Sequence, residues 1–176
     1  MKSSLKHKIL ISVFLLVLLS TQVIACGEVY QFPWPGMLPD NPFYKLKVLR
    51  NKIVSRLIIS PEKRVEFDLL MADKTLYAGK LLLDKGKPAL AAETALKGEN
   101  YFSILVADYR SMLGKKMVAP ERLKQRIAAA SEAESKLIDY LIDHSRGADQ
   151  ETFRKVLYFS QQNRQTFVLI QKAKRE

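Results

Sequence analysis

Few side chains in this 176-residue chain have the chemistry for a reaction. They are one thiol, Cys26, two imidazoles, His7 and His144, and the carboxylates Asp68, Asp73, Glu93 and Glu99, which a helical hairpin could bring together. A zinc site needs three or four nitrogen, sulfur or oxygen ligands, and one body histidine beside a lone cysteine does not supply them. There is no Glu-x-x-His pair of the kind that holds two metals in a helical bundle. A glycine-rich phosphate loop and a Gly-x-Ser-x-Gly elbow are also absent from the sequence. His144 stands where a helix should end and suits the negative pole of its dipole. The four carboxylates read as outer-face residues paired with Lys63, Lys74 and Lys97. No catalytic residue, metal or cofactor is assigned, so a non-enzymatic role is expected, with a cell-wall hydrolase as a distant alternative.

Cys26 has a more informative setting. Lys2, Lys6 and Lys8 precede an apolar run from Ile9 to Leu19, the order of a targeting segment. Val23-Ile24-Ala25-Cys26 resembles the lipobox of bacterial lipoproteins, in which the cysteine is diacylated. Ordinary cleavage after Ala25 is a second reading. An uncleaved anchor is a third, because Ile9 to Ala25 reaches the lower limit of about 17 residues for a spanning helix. As the only cysteine, Cys26 has no partner for an intrachain disulfide. Residues 1–26 are therefore expected to be a signal peptide or membrane anchor. That places the protein at the outer face of the cytoplasmic membrane.

Residues 27–41 form an extended arm rich in proline and aromatics, with Tyr30, Phe32 and Trp34 destined either for the bilayer interface or for a strap across the body. Beyond it, residues 42–176 read as one all-α domain. Asn41-Pro42, Ser60-Pro61 and Asp149-Gln150 are helix-opening pairs, while Pro88 and Pro120 open two more helices. Five helices are predicted near 42–59, 61–85, 88–113, 120–144 and 150–174. Each has an apolar face at helical spacing: Phe43, Leu46, Leu49, Ile53 and Leu57 in the first; Val65, Leu69, Ala72, Leu76 and Leu83 in the second. Ala91, Ala95, Gly98 and Phe102 mark the third, Leu123, Ile127, Ala130, Leu137 and Leu141 the fourth, and Phe153, Val156, Leu157, Phe167 and Ile170 the fifth. Short links favour an antiparallel bundle. The pair 61–85 and 88–113 also has the shape of a tetratricopeptide unit, which leaves an open, repeat-like arrangement as the alternative.

The segment Pro35-Gly36-Met37-Leu38-Pro39-Asp40-Asn41-Pro42-Phe43-Tyr44-Lys45-Leu46-Lys47, with Arg50, Ser60-Pro61-Glu62-Lys63-Arg64, Ala72-Asp73-Lys74 and Lys97-Gly98-Glu99-Asn100-Tyr101, resembles the bacterial domain-of-unknown-function family 5667. The resemblance covers roughly residues 33–112. It implies an exported, all-helical protein and brings no activity. Read physically, Pro39 and Pro42 restrict the chain around Asp40-Asn41, whose side chains are placed to satisfy N–H groups of the first helical turn. Phe43 and Tyr44 are expected to point toward the body, so that Pro39, Asp40, Pro42 and Tyr44 dock the arm at a fixed angle.

Charge gives the remaining clue. The chain carries a formal net charge of +11, and without Lys2, Lys6 and Lys8 the charge is still +8. Lys45, Lys52 and Arg56 share a side of the first helix, and Lys115, Lys116, Arg122, Lys124 and Arg126 gather around the third link. An exported basic body meets anionic lipid or envelope polymers. Nucleic acid is not expected, since no aromatics interleave with a basic stripe. The leading reading is a membrane-tethered interaction or scaffold domain that meets the membrane and an envelope partner. A module binding polyanions or anionic lipid through Lys45, Lys52 and Arg56 is the runner-up.

Overall fold

The computed structural model describes residues 30–173. The targeting segment and Cys26 lie outside the described residues, as does the predicted end of the last helix at 174. Among the described residues five helices follow one another: α1 Tyr44–Leu57, α2 Pro61–Asp84, α3 Pro88–Gly114, α4 Glu121–Asp143 and α5 Gly147–Lys172. The all-α, antiparallel expectation is met.

The links explain the boundaries. At α2, Ser60 Oγ accepts from the Lys63 N–H at 3.5 Å and Pro61 takes the first helical position. Its far end closes through Gly86, whose φ of +71° lets the N–H groups of Gly86 and Lys87 return to the carbonyls of Leu83 and Leu82. Two predicted starts shift by more than one residue. The first helix begins at Tyr44, two residues later than expected, because Asn41 Oδ1 accepts from Phe43 N–H in a turn ahead of it. Conversely α5 begins at Gly147, where a φ of +60° turns the chain, so Asp149 sits inside the first turn and complements the dipole there instead of capping it.

Helices α2 to α5 close into a ring in the order α2, α3, α5, α4, with α4 returning to α2. This is the closed bundle and not an open repeat array. The α2–α3 crossing is tight because Gly98 lies on the α2 backbone: a Cβ there would come within 2.9 Å of the Leu76 nitrogen. Gly79 meets Ala91 and Ala95 in the same seam.

Two apolar cores fill the ring. One gathers Val65, Leu69, Phe102, Tyr109, Ile127 and Phe167, and the other Leu76, Leu82, Ala95, Leu141, Phe153 and Val156. The arm straps both: Tyr30 packs on the first, Phe32 stacks on Tyr77 beside the second, and Leu38 is buried.

Helix α1 departs from expectation. Phe43, Leu46, Leu49, Ile53 and Leu57, predicted to face the bundle, are all exposed, with Phe43 at 62% and Leu57 at 72%. No side chain of α1 is buried. The four longer helices complete the ring without it, which leaves no groove for a fifth apolar stripe.

Candidate functional site

Two features stand out from an ordinary bundle: the orientation of α1, and a layer of carboxylates inside the ring.

On α1 the half-buried positions are Tyr44, Lys47, Asn51 and Ser55, spaced three and four apart along one face. These make the contacts with the body. Lys47 Nζ donates to the carbonyls of Pro35 at 2.7 Å and Met37 at 2.8 Å, which ties the helix to the arm. Partial burial, with Lys74 and Arg50 nearby, pulls the Lys47 pKa down. Asn51 Nδ2 approaches Met71 Sδ on α2 at 3.4 Å, and Arg64 donates to the Ile58 carbonyl just past the helix end at 2.8 Å. The polar face therefore looks inward and the apolar face outward, the reverse of a surface helix on a globular protein. Burying one such apolar side chain contributes about 1.5–3 kcal/mol, so a row of five left in water is a strong drive toward association.

The basic residues frame this row. Lys45, Lys52 and Arg56 are exposed along one border, as the sequence suggested, and α1 contains no acidic residue. Trp34 on the adjoining arm is also exposed, at 67%, with its ring edge-on to Tyr77.

The docking motif behaves differently from its sequence reading. Asp40 does not cap α1; it pairs with Lys87 Nζ at 2.9 Å and Lys85 Nζ at 3.4 Å on the α2–α3 link, and the Lys87 hydrogen bond holds its carboxyl below the usual range. Phe43 points away from the body, whereas Tyr44 is half-buried as expected, and burial with Tyr101 nearby raises its pKa. Pro39 lies within the turn closed by the Asn41 N–H to the Leu38 carbonyl, and Pro42 follows it directly.

The carboxylates are the second departure. Asp68, Asp73 and Glu99, expected on the outer face, are buried, and Glu134 joins them at 2% exposure. Only Glu93 remains outside, 4.0 Å from Lys97, while Lys63 pairs with Glu66 instead. Between the two apolar cores each helix of the ring contributes to a polar layer: Asp73 from α2, Glu99 from α3, Ser131 and Glu134 from α4, Ser160 and Asn163 from α5. Tyr30 OH donates to Asp73 Oδ2 at 2.5 Å. Asn163 Nδ2 donates to Glu99 Oε1 at 2.6 Å and to Ser103 Oγ at 2.7 Å. Asp73 Oδ1, Glu134 Oε2 and Asp68 Oδ2 have no hydrogen-bond partner among the described residues.

Burial is the main cause of the raised pKa values of these acids. It lifts Asp73 to about 6 against the opposing pull of Tyr30 and Arg126, and Glu99 to about 7 against that of Asn163. Asp68 rises to about 7 through burial and the neighbouring Asp108. Glu134 is pushed well up by burial and by the charges of Asp73 and Glu99. Among the described residues no three His, Cys, Asp or Glu side chains are arranged to hold a metal ion. His144 ends α4, with Nδ1 2.8 Å from the Tyr140 carbonyl and its ring stacked on Tyr140.

Sequence reasoning missed Glu134, and its signal was a gap. The α4 stripe Leu123, Ile127, Ala130, Leu137, Leu141 skips the position one turn after Ala130, which Glu134 fills. Ser160 and Asn163 fill the matching gap in α5.

An open pocket of about 640 Å³ lies outside the layer, lined by Tyr30, Gln31 and Pro33 of the arm and Arg122, Gln125 and Arg126 of α4. It places two guanidinium groups one turn apart above the tyrosine that covers Asp73. Comparison of the chain with protein-family models, with curated proteins and with solved structures gives no match.

Proposed function

We propose that this protein is a membrane-tethered, extracytoplasmic helical interaction domain in which α1 is the docking element. The observation that carries the proposal is the reversed orientation of α1, whose polar face contacts the body and whose apolar face does not. No helix among the described residues is long and apolar enough to cross a membrane, so tethering falls to residues 1–26, through acylated Cys26 or through the apolar run itself. The likeness of the Pro35–Lys47 entry to family 5667 remains a proposal of kinship and adds no activity.

Fractionation of the full chain tests the tether. Wild-type protein should sediment with membranes. Cys26→Ser should lose lipid labelling if the cysteine is acylated and should keep its fractionation if the segment is an uncleaved anchor. Recovery of the wild type wholly in the soluble fraction overturns the tether.

A second reading is a module for envelope polyanions. It is favoured by the pocket that brings Arg122 and Arg126 together beside the arm. Retention on an anionic polymer that is lost on changing both arginines to Gln would support it.

A further inference from the structure

We infer that α1 is an interfacial helix that lies in the plane of an anionic bilayer, with Leu46, Leu49, Ile53 and Leu57 seated among the acyl chains. The inference rests in part on the tethering proposal and names the partner that the docking element fits.

Three observations select a bilayer over other occupants. The first is the exposed row itself, presented by a helix whose opposite face is committed to the body through Lys47 and Asn51. Fourteen residues make a helix about 21 Å long, too short for the roughly 30 Å hydrocarbon core. A helix of this kind lies flat, its apolar side about 5–10 Å into the headgroup boundary.

The second is charge. Lys45, Lys47, Arg50, Lys52 and Arg56 are the only charged residues of α1, and Lys45, Lys52 and Arg56 run along one border of the apolar row. Anionic headgroups complement that border. Arg50, set among the apolar positions and bonded to Asn51, has a stem long enough to raise its guanidinium to the headgroups. A second copy is a poor occupant, because packing α1 on α1 would bring the exposed cations Lys45, Arg50, Lys52 and Arg56 against their counterparts with no acidic residue of α1 between them.

The third is position. Trp34, exposed, directly precedes Pro35, whose carbonyl Lys47 holds. An aromatic ring of this type suits the membrane interface. Trp34 lies eight residue steps beyond Cys26, a reach of at most about 28 Å. A tether at or before Cys26 therefore keeps α1 within a short distance of the surface it is built to enter.

The test uses the full chain. Trp34, the only tryptophan, is changed to Phe and Ile53 to Trp, an exposed site where the larger ring disturbs no core. The protein is reconstituted with vesicles of phosphatidylcholine alone, or mixed with phosphatidylglycerol, both with brominated acyl chains. Trp at position 53 should shift to the blue and lose at least half its emission in the anionic vesicles. Adding Lys45→Gln, Lys52→Gln and Arg56→Gln, or high salt, should restore most of the emission. Flotation separates the two proposals. If the chain floats with both compositions yet position 53 stays unquenched, the tether stands and the interfacial helix is overturned. If it floats and is quenched only with anionic vesicles, the interfacial helix stands and the tether is overturned. A blue shift that grows with protein concentration without quenching shows a second copy on this face and also overturns the inference.

Discussion

Tyr30 OH and Asp73 Oδ2 meet at 2.5 Å across 43 residues of sequence, joining the arm to the interior of α2. The other oxygen of Asp73 is buried without a hydrogen-bond partner among the described residues. The phenol, whose own pKa is raised by its burial and by Asp73, is thus the donor that makes a buried carboxyl tolerable.

Tyr30→Phe removes that donor and leaves both oxygens of Asp73 unsatisfied. A loss of about 1–3 kcal/mol in denaturant unfolding is expected. Tyr30→Phe combined with Asp73→Leu should recover part of it, because the orphaned acid is then gone. Equal stability of Tyr30→Phe and the wild type would show that the contact contributes nothing.

The buried acids also set a pH dependence. Asp73, Asp68 and Glu99 titrate near 6 to 7 in the folded protein and at the ordinary 3.8 to 4.5 when unfolded. The folded chain therefore keeps protons that the unfolded chain releases. Their contribution is fully present below about pH 4 and is lost as pH rises through 6 to 7. Displacing one pKa by a single pH unit corresponds to about 1.36 kcal/mol, so the bundle should be less stable at pH 8 than at pH 5 by roughly 2 kcal/mol or more. Glu134→Gln removes the acid that Asp73 and Glu99 repel and should flatten the slope of thermal midpoint against pH. A midpoint that rises steadily from pH 5 to 8 would contradict this assignment.

Gly98 tests the α2–α3 seam. An alanine Cβ would collide with the Leu76 backbone, which cannot swing aside. Gly98→Ala should destabilise by about 1–3 kcal/mol, the usual range for overpacking. Gly114→Ala, which meets nothing within 4 Å and has no positive φ, is the control and should be neutral or slightly stabilising. Matching thermal midpoints for the two variants would mean that the seam is looser than its geometry.

The fold was legible where a local rule was decisive. Ser60-Pro61 and Pro88 specify helix starts through capping and a fixed φ, and the small residues Gly79, Ala91, Ala95 and Gly98 announce a close crossing. Periodicity, however, identifies an apolar face without naming what covers it. For α2 to α5 the cover is the neighbouring helices of the ring, whereas the apolar face of α1 is turned outward. Burial of Asp73 and Glu99 was hidden for a related reason. Each sits beside the apolar stripe of its helix, next to Ala72 and Gly98, where a small rotation separates surface from core. Only the gap at Glu134 interrupts a stripe outright, and it becomes readable when aligned with the gap at Ser160 and Asn163.

The carboxylate layer has a consequence for how the four helices find their alignment. Leucine-rich faces tolerate sliding, since a turn of displacement exchanges one apolar contact for another. Asp73, Glu99, Glu134 and Asn163 do not. Moving α4 by one turn would carry Glu134 off the level of Asp73, Glu99, Ser160 and Asn163 and into one of the apolar cores, where a protonated acid has even fewer polar neighbours and an ionised one is far worse placed. The layer lowers the stability of the correct arrangement, yet it penalises each shifted arrangement more. It works as a vernier mark across the bundle, selecting one register from a set that the leucines alone would leave nearly degenerate.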